Sequence, residues 1–175
     1  MRKPVIIIVI VLAVIVGGVG YWQSTKRPVP DTAQTAQTAQ TAQTAAAIKQ
    51  RVDAMKELGQ QSGIVNAFVT EDTGDAAGVK TAAERISAVA KTLPAMFPAG
   101  SGRGDVDPKM TRSLPKIWED MGGFQASITK LEAEAAALSA AAGTGEKTMI
   151  AAAFESLGKN GCGGCHSAYR GPKVD

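Results

Sequence analysis

The chain has 175 residues, of which 45% are hydrophobic, a length that suits one domain with appendages and excludes two full domains. The formal net charge is +3, but residues from 46 onward carry 15 basic and 15 acidic side chains, so nucleic-acid binding has no support. Aromatic residues make up only 5% and alanine is abundant, which favours packed helices over sheet and predicts an all-α fold.

Residues 1–22 are predicted to be a membrane anchor. Residues 5–19 are an unbroken run of Val, Ile, Leu, Ala and Gly, closed by Tyr21 and Trp22. A helix needs roughly 20 apolar residues to span a bilayer, and aromatic side chains favour the membrane interface. The alternative is a cleaved signal peptide, which would leave a mature protein starting near Tyr21.

The basic residues that precede the apolar run favour a cytoplasmic N-terminus. The rest of the chain is then expected outside the cytoplasmic membrane of a bacterium, as the periplasmic part of a single-pass protein. Basic residues on the far side, Lys26 and Arg27, weaken this orientation. Residues 23–45 are predicted to be a low-complexity linker, because the triplet Thr-Ala-Gln repeats four times between Thr32 and Gln43 and has no large apolar side chain.

Four segments with helical periodicity follow the linker, at about residues 45–69, 76–93, 117–138 and 146–170. In the first, the inward positions are expected to be Ile48, Val52, Met55, Ser62 and Val65. The third has the clearest pattern, with steps of four and three through Ile117, Met121, Phe124, Ile128, Leu131, Ala135 and Leu138. Short turns and one longer loop, at residues 94–114, predict an antiparallel four-helix bundle over residues 46–175, with any cofactor held between helices.

The fourth segment ends in Cys162-Gly-Gly-Cys165-His166, which holds the only cysteines and the only histidine of the chain. This pattern is typical of a covalently attached c-type haem. Two thiols three residues apart face one side of a helical turn, and the imidazole that follows can ligate iron. There are three alternatives. A thioredoxin-like thiol pair needs an α/β context, and a structural zinc site needs about four ligands. The third alternative is a disulfide between the two cysteines.

The chain resembles the class II cytochromes c, the family of cytochrome c prime and its low-spin relatives. The resemblance covers about residues 48–170. Its landmarks are Arg51-Val-Asp-Ala-Met55-Lys in the first helix, Leu93-Pro-Ala-Met-Phe-Pro-Ala-Gly100 after the second, Thr111-Arg-Ser-Leu-Pro-Lys-Ile-Trp118, and the haem motif at the C-terminus. The membrane segment and the repeat are departures from the soluble members of this family.

The resemblance implies that Arg51 pairs with a haem propionate, a contact that suits a guanidinium. Met55 lies four residues later on the same helix face. In low-spin relatives the matching methionine is the sixth iron ligand, whereas in cytochromes c prime the residue only packs over an open iron, and the sequence leaves both open. Tyr169 and Arg170 could tune the His166 imidazole or face solvent.

The expected function is one-electron transfer by a single covalent haem c, with membrane-bound or periplasmic redox partners. The runner-up is a five-coordinate protein that binds nitric oxide or carbon monoxide. A haem enzyme has less support, because the sequence offers no distal histidine. The resemblance also implies that the protein could form a homodimer.

Overall fold

The computed structural model of the chain describes residues 32–174, and the predicted anchor of residues 1–22 lies outside them. The described residues are mostly helical, as expected for an all-α fold. The elements are α1 (Thr32–Glu71), α2 (Ala76–Thr92), a 3-10 turn (Leu93–Met96), α3 (Lys116–Glu119), α4 (Met121–Thr144), α5 (Lys147–Ser156), a π-helical segment (Leu157–Gly163) and α6 (Gly164–Tyr169). None of these helices is long and apolar enough to cross a membrane.

The Thr-Ala-Gln repeat is helical in the structure. Helix α1 already begins at Thr32, and the side chains of residues 32–43 are all exposed. Alanine and glutamine are good helix formers, whereas threonine is a weaker one. The Thr38 hydroxyl donates a hydrogen bond to the Gln34 carbonyl at 2.9 Å, so this polar group is paired within the helix. Close contacts divide the chain into Met1–Ala39 and Gln40–Asp175, and the hydrophobic core belongs to the second unit.

The inward face of α1 differs from the one predicted. Ile48 and Val65 are buried as expected, but Val52 is 44% exposed and Met55 is 36% exposed. The buried positions between them are Arg51 and Ala54, followed by Leu58 against the core. These positions also step by three and four. Hydrophobicity alone missed this face because a charged residue occupies one of its central positions.

Helices α2 and α4 pack closely along each other and form the middle of the core. The α2 stripe consists of Val79, Ala82, Ala83, Ile86, Val89 and Ala90, and small residues at this spacing let two helix backbones approach. The Asp75 side chain begins α2 by accepting a hydrogen bond from the Gly78 backbone N–H at 2.7 Å. The α4 stripe confirms the predicted pattern from Phe124 through Leu138.

The first two positions of that pattern do not belong to α4. Ile117 is buried in the separate short helix α3, and Met121 is 42% exposed. The helix breaks at Asp120, whose backbone has φ −131° and ψ 58° and whose side chain caps α4. Because the cap requires a non-helical residue here, a continuous helix from residue 117 is excluded.

The predicted fourth helix is present in three parts. Ile150, Leu157 and Gly161 are buried on one face, and Phe154 packs partly against the core. Between α5 and α6 the chain widens into the π-helical segment Leu157–Gly163. A single π-helical turn inside an α-helix is rare and frequently marks a functional site.

Candidate haem site

The two cysteines and the histidine lie where the π-helical segment passes into α6. Cys162 is in the π-helical segment, while Cys165 and His166 are in the first turn of α6. All three side chains are half-buried. The wider turn therefore carries the first thiol, and the regular helix carries the second thiol and the imidazole.

Neither thiol is paired in a disulfide. Burial raises the pKa of the Cys162 thiol, and burial together with the neighbouring Cys162 raises the pKa of the Cys165 thiol. The neutral thiol is therefore the favoured form of both side chains. In residues 32–174, no group of three or more His, Cys, Asp and Glu side chains is placed to hold a metal ion directly.

The environment of His166 favours the neutral imidazole. Burial lowers its pKa most, and the positive charges of Arg170 and Arg112 lower it further. A neutral imidazole has a free lone pair, which is the form that binds iron. Arg170 is exposed and acts on His166 through its charge, whereas Tyr169 is buried.

The glycines of this segment differ in the space around them. A Cβ on Gly161 would lie 3.1 Å from Leu131 Cδ1 and 3.2 Å from Leu157 Cδ1, so Gly161 packs against the core and does not extend a surface for the haem. A Cβ on Gly163 would lie 3.1 Å from the Gly158 carbonyl oxygen. Only Gly164 and Gly158 have open space around them, as a surface for a flat ring requires.

Arg51 is the most buried charged side chain of the predicted site, at 4% exposure. Its Nη1 donates to Ser101 Oγ at 3.2 Å and its Nη2 to the Ser101 carbonyl at 2.7 Å. The guanidinium also lies 4.9 Å from the centre of the Phe97 ring. Burial lowers the pKa of Arg51 to about 10, and among the described residues it forms no ion pair with a carboxylate.

A buried cation without an anionic partner is costly, so this position fits an acidic group supplied by a ligand. Haem carries two propionates, and the thiols and neutral imidazole fit its vinyl groups and its iron. The residues present therefore suit haem c. Ser101 was missed from the sequence, because a serine in a loop has no pattern that links it to an arginine 50 positions away.

An aromatic series connects Arg51 with the haem segment. Phe97 packs edge-on against Phe124 with ring centres 4.7 Å apart, and Phe124 packs in the same way against Tyr169 at 5.3 Å. Trp118 Nε1 donates to the Phe97 carbonyl at 3.1 Å and holds the loop in place. Met55, which is 36% exposed, lies one turn after Arg51 on α1.

The loop between α2 and α3 also holds the end of the chain. The Leu114 N–H donates to the Tyr169 carbonyl at 3.0 Å, and the Gly171 N–H donates to the Arg112 carbonyl at 2.8 Å. Arg112 Nε returns a hydrogen bond to the Gly171 carbonyl at 2.8 Å. The loop therefore holds the backbone of Tyr169 and Gly171 by three hydrogen bonds.

Comparison with known proteins agrees with this geometry. Residues 46–170 match the family model described as Cytochrome C'. The chain is 36% identical to cytochrome c-556 of Agrobacterium fabrum over 124 residues, which cover 70% of this chain and 80% of that protein. It is also 36% identical to cytochrome c' of Rhodopseudomonas palustris over 129 residues, which cover 72% of this chain and 82% of that protein.

Among solved structures, the nitric oxide complex of a cytochrome c prime mutant from Alcaligenes xylosoxidans superposes with a TM-score of 0.64 and 28% identity, over 74% of this chain and 97% of that one. The family match spans most of the chain and includes the Cys-x-x-Cys-His motif of residues 162–166. The chain belongs to the cytochrome c prime family and carries covalently attached haem c.

Proposed function

We propose that this protein transfers single electrons through one haem c that is attached to Cys162 and Cys165 and ligated by His166. The observation that carries the proposal is a neutral, half-buried imidazole directly after two free thiols on one helical segment. Each thiol would add across a haem vinyl group, so that sulfur bonds to one carbon and the proton goes to the other. The haem iron supplies the one-electron chemistry, and no catalytic residue is proposed.

Arg51 is proposed to bind a haem propionate. Its hydrogen bonds to Ser101 and its contact with Phe97 orient the guanidinium. A propionate would supply the charge that the described part of the chain lacks at this position. The pairing would hold the haem at a second point, away from its thioether bonds.

Met55 is proposed as the sixth iron ligand, which would make the haem six-coordinate and suited to electron transfer. A thioether ligand opposite histidine raises the reduction potential. Met55 follows the buried Arg51 by one helical turn, so the two would approach the same haem from one helix.

Residues 1–22 are proposed to anchor the protein in the cytoplasmic membrane of a bacterium, with residues 23–45 as a spacer and residues 46–175 as a periplasmic haem domain. The exposed helical repeat supports the spacer role, because a helical segment rises by about 1.5 Å per residue and is stiffer than a flexible coil. The partners are then redox proteins in or near that membrane, and a homodimer remains a prediction of the family resemblance.

The second candidate function is gas binding by a five-coordinate haem. It is favoured by the relative whose structure was solved as a nitric oxide complex. In this alternative Met55 would pack over the iron without a bond to it, and a diatomic ligand would bind at the open position.

The absorption spectrum of the oxidised and reduced protein, with and without carbon monoxide, separates the two functions. Electron transfer with Met55 as ligand predicts a low-spin spectrum and slow or absent carbon monoxide binding. A high-spin spectrum with rapid binding would favour the gas-binding alternative. In the variant Cys162→Ala with Cys165→Ala we expect no haem to remain after acid-acetone extraction, and retained haem would contradict the thioether assignment.

A further inference from the structure

The side chains of Tyr169 and Asp120 join the haem-bearing segment to α4. Tyr169 lies three residues after His166 and is 6% exposed. Its hydroxyl donates a hydrogen bond to Asp120 Oδ2 at 2.9 Å, while Asp120 Oδ1 accepts one from the Gly123 backbone N–H at 3.0 Å. One carboxylate therefore caps the start of α4 and holds the end of α6.

The space around this hydrogen bond is closely fitted. A Cβ on Gly123 would lie 2.6 Å from the Tyr169 hydroxyl and 2.3 Å from Asp120 Oδ2, so the contact needs glycine at this position. The Tyr169 ring packs edge-on against Phe124, and Lys116 Nζ lies 5.8 Å from the ring centre. The ring is therefore held by contacts as well as by its hydroxyl.

The protonation states favour this bond around neutral pH. The Gly123 N–H, followed by the Tyr169 hydroxyl, lowers the pKa of Asp120. Burial, followed by the hydrogen bond to Asp120, raises the pKa of Tyr169. The carboxylate is therefore ionised and the phenol protonated across the physiological range.

Helix α6 needs such an external support. Its six residues end the helical run that begins at Lys147, and the last turn of a helix frays unless contacts from outside the helix hold it. Its last backbone bond runs from the Arg170 N–H to the His166 carbonyl at 3.2 Å, so the residue next to Tyr169 is tied to the backbone of the histidine. A displacement of Tyr169 would therefore be transmitted to His166.

We propose that Asp120 and Tyr169 are positioning residues for the axial histidine, and that they set the orientation of the His166 imidazole by fixing the last turn of α6 on α4. This inference rests on the proposed role of His166 as the iron ligand. Groups that orient a metal ligand without touching the metal commonly tune its affinity and potential.

The test compares three variants of the full-length, haem-loaded protein. Tyr169→Phe removes only the hydroxyl, and Asp120→Ala removes both the hydrogen bond and the helix cap. Asp75→Ala is the matched control, because it removes the equivalent cap of α2 and leaves the tyrosine intact. The measurements are covalent haem by mass, the haem-methyl proton resonances of the oxidised protein, which report the orientation of the axial imidazole, the reduction potential and the thermal midpoint.

We expect Tyr169→Phe and Asp120→Ala to move the methyl resonances and to shift the potential in a common direction. Asp75→Ala should lower the thermal midpoint and leave both haem measurements unchanged. Methyl resonances and a potential that stay at parent values in Tyr169→Phe would overturn the positioning role, whatever the change in stability. A parent protein without covalent haem would instead overturn the proposed function, so the two failures are distinguishable.

Discussion

Replacement of Met55 by leucine separates electron transfer from gas binding. Met55 is 36% exposed, so about two-thirds of its side chain is buried. Full burial of such a side chain stabilises a protein by about 1.5–3 kcal/mol, so even its complete removal would cost roughly 1–2 kcal/mol. Leucine has similar volume and hydrophobicity, so Met55→Leu should destabilise the bundle by less than about 1 kcal/mol.

The effect on the haem should be much larger if the thioether ligates iron. Leucine has no lone pair, so the iron would lose its sixth ligand while the packing is nearly preserved. We expect the spectrum to change from low-spin to high-spin, the reduction potential to fall, and carbon monoxide to bind the reduced protein rapidly. Axial ligands account for a range of about 0.8 V in haem potentials, so a loss of ligand is readily measured.

The assay is absorption and electron paramagnetic resonance spectroscopy, potentiometric titration, and stopped-flow mixing with carbon monoxide. Met121→Leu is the matched control, since Met121 is 42% exposed at the start of α4 and has no proposed contact with haem. A parent spectrum that is already high-spin, and that Met55→Leu leaves unchanged, would refute ligation by Met55. Gas binding would then become the better supported function.

The remaining predictions concern Arg51, Glu134 and the N-terminal segment. Arg51→Met should destabilise the haem-loaded protein to thermal unfolding by about 3 kcal/mol, since it leaves a propionate unpaired, whereas Arg85→Met, which breaks a surface pair with Glu57, should cost at most about 1 kcal/mol. Equal losses would contradict a propionate contact. Hydrogen bonds from Lys130 and then Ser156 lower the pKa of Glu134. Its stabilisation is therefore present above the ordinary glutamate pKa and is lost as the pH falls through its lower folded value, so urea unfolding of Glu134→Gln should depend less on pH in that acidic range than the parent does. An unchanged dependence would contradict this assignment. The full-length protein should sediment with membranes, and a chain that starts at Ala45 should stay in the supernatant with the same spectrum; a mature N-terminus at Tyr21 would show a cleaved signal instead.

Local patterns carried most of the information about the fold. Side-chain spacing predicts the period of α4 from Phe124 onward. Backbone preference within a few residues predicts the turn at Thr73 to Asp75 and the left-handed Gly145, with φ 74°, that follows α4. The haem motif is equally local, because its chemistry depends on residue types three and four positions apart. These features could therefore be predicted without knowledge of distant contacts.

The tertiary structure decided what depends on residues far apart in the chain. The first helix turns Arg51 inward and leaves Val52 44% and Met55 36% exposed, because Ser101 and Phe97 in a distant loop bind the guanidinium. The third predicted helix is interrupted at Asp120, because that carboxylate accepts hydrogen bonds from the Gly123 N–H and from the hydroxyl of Tyr169, 49 residues later. Hydrophobic periodicity reports only the burial of apolar groups. It therefore cannot predict a buried charge, or a capping carboxylate, whose hydrogen-bond partners lie far away in the chain.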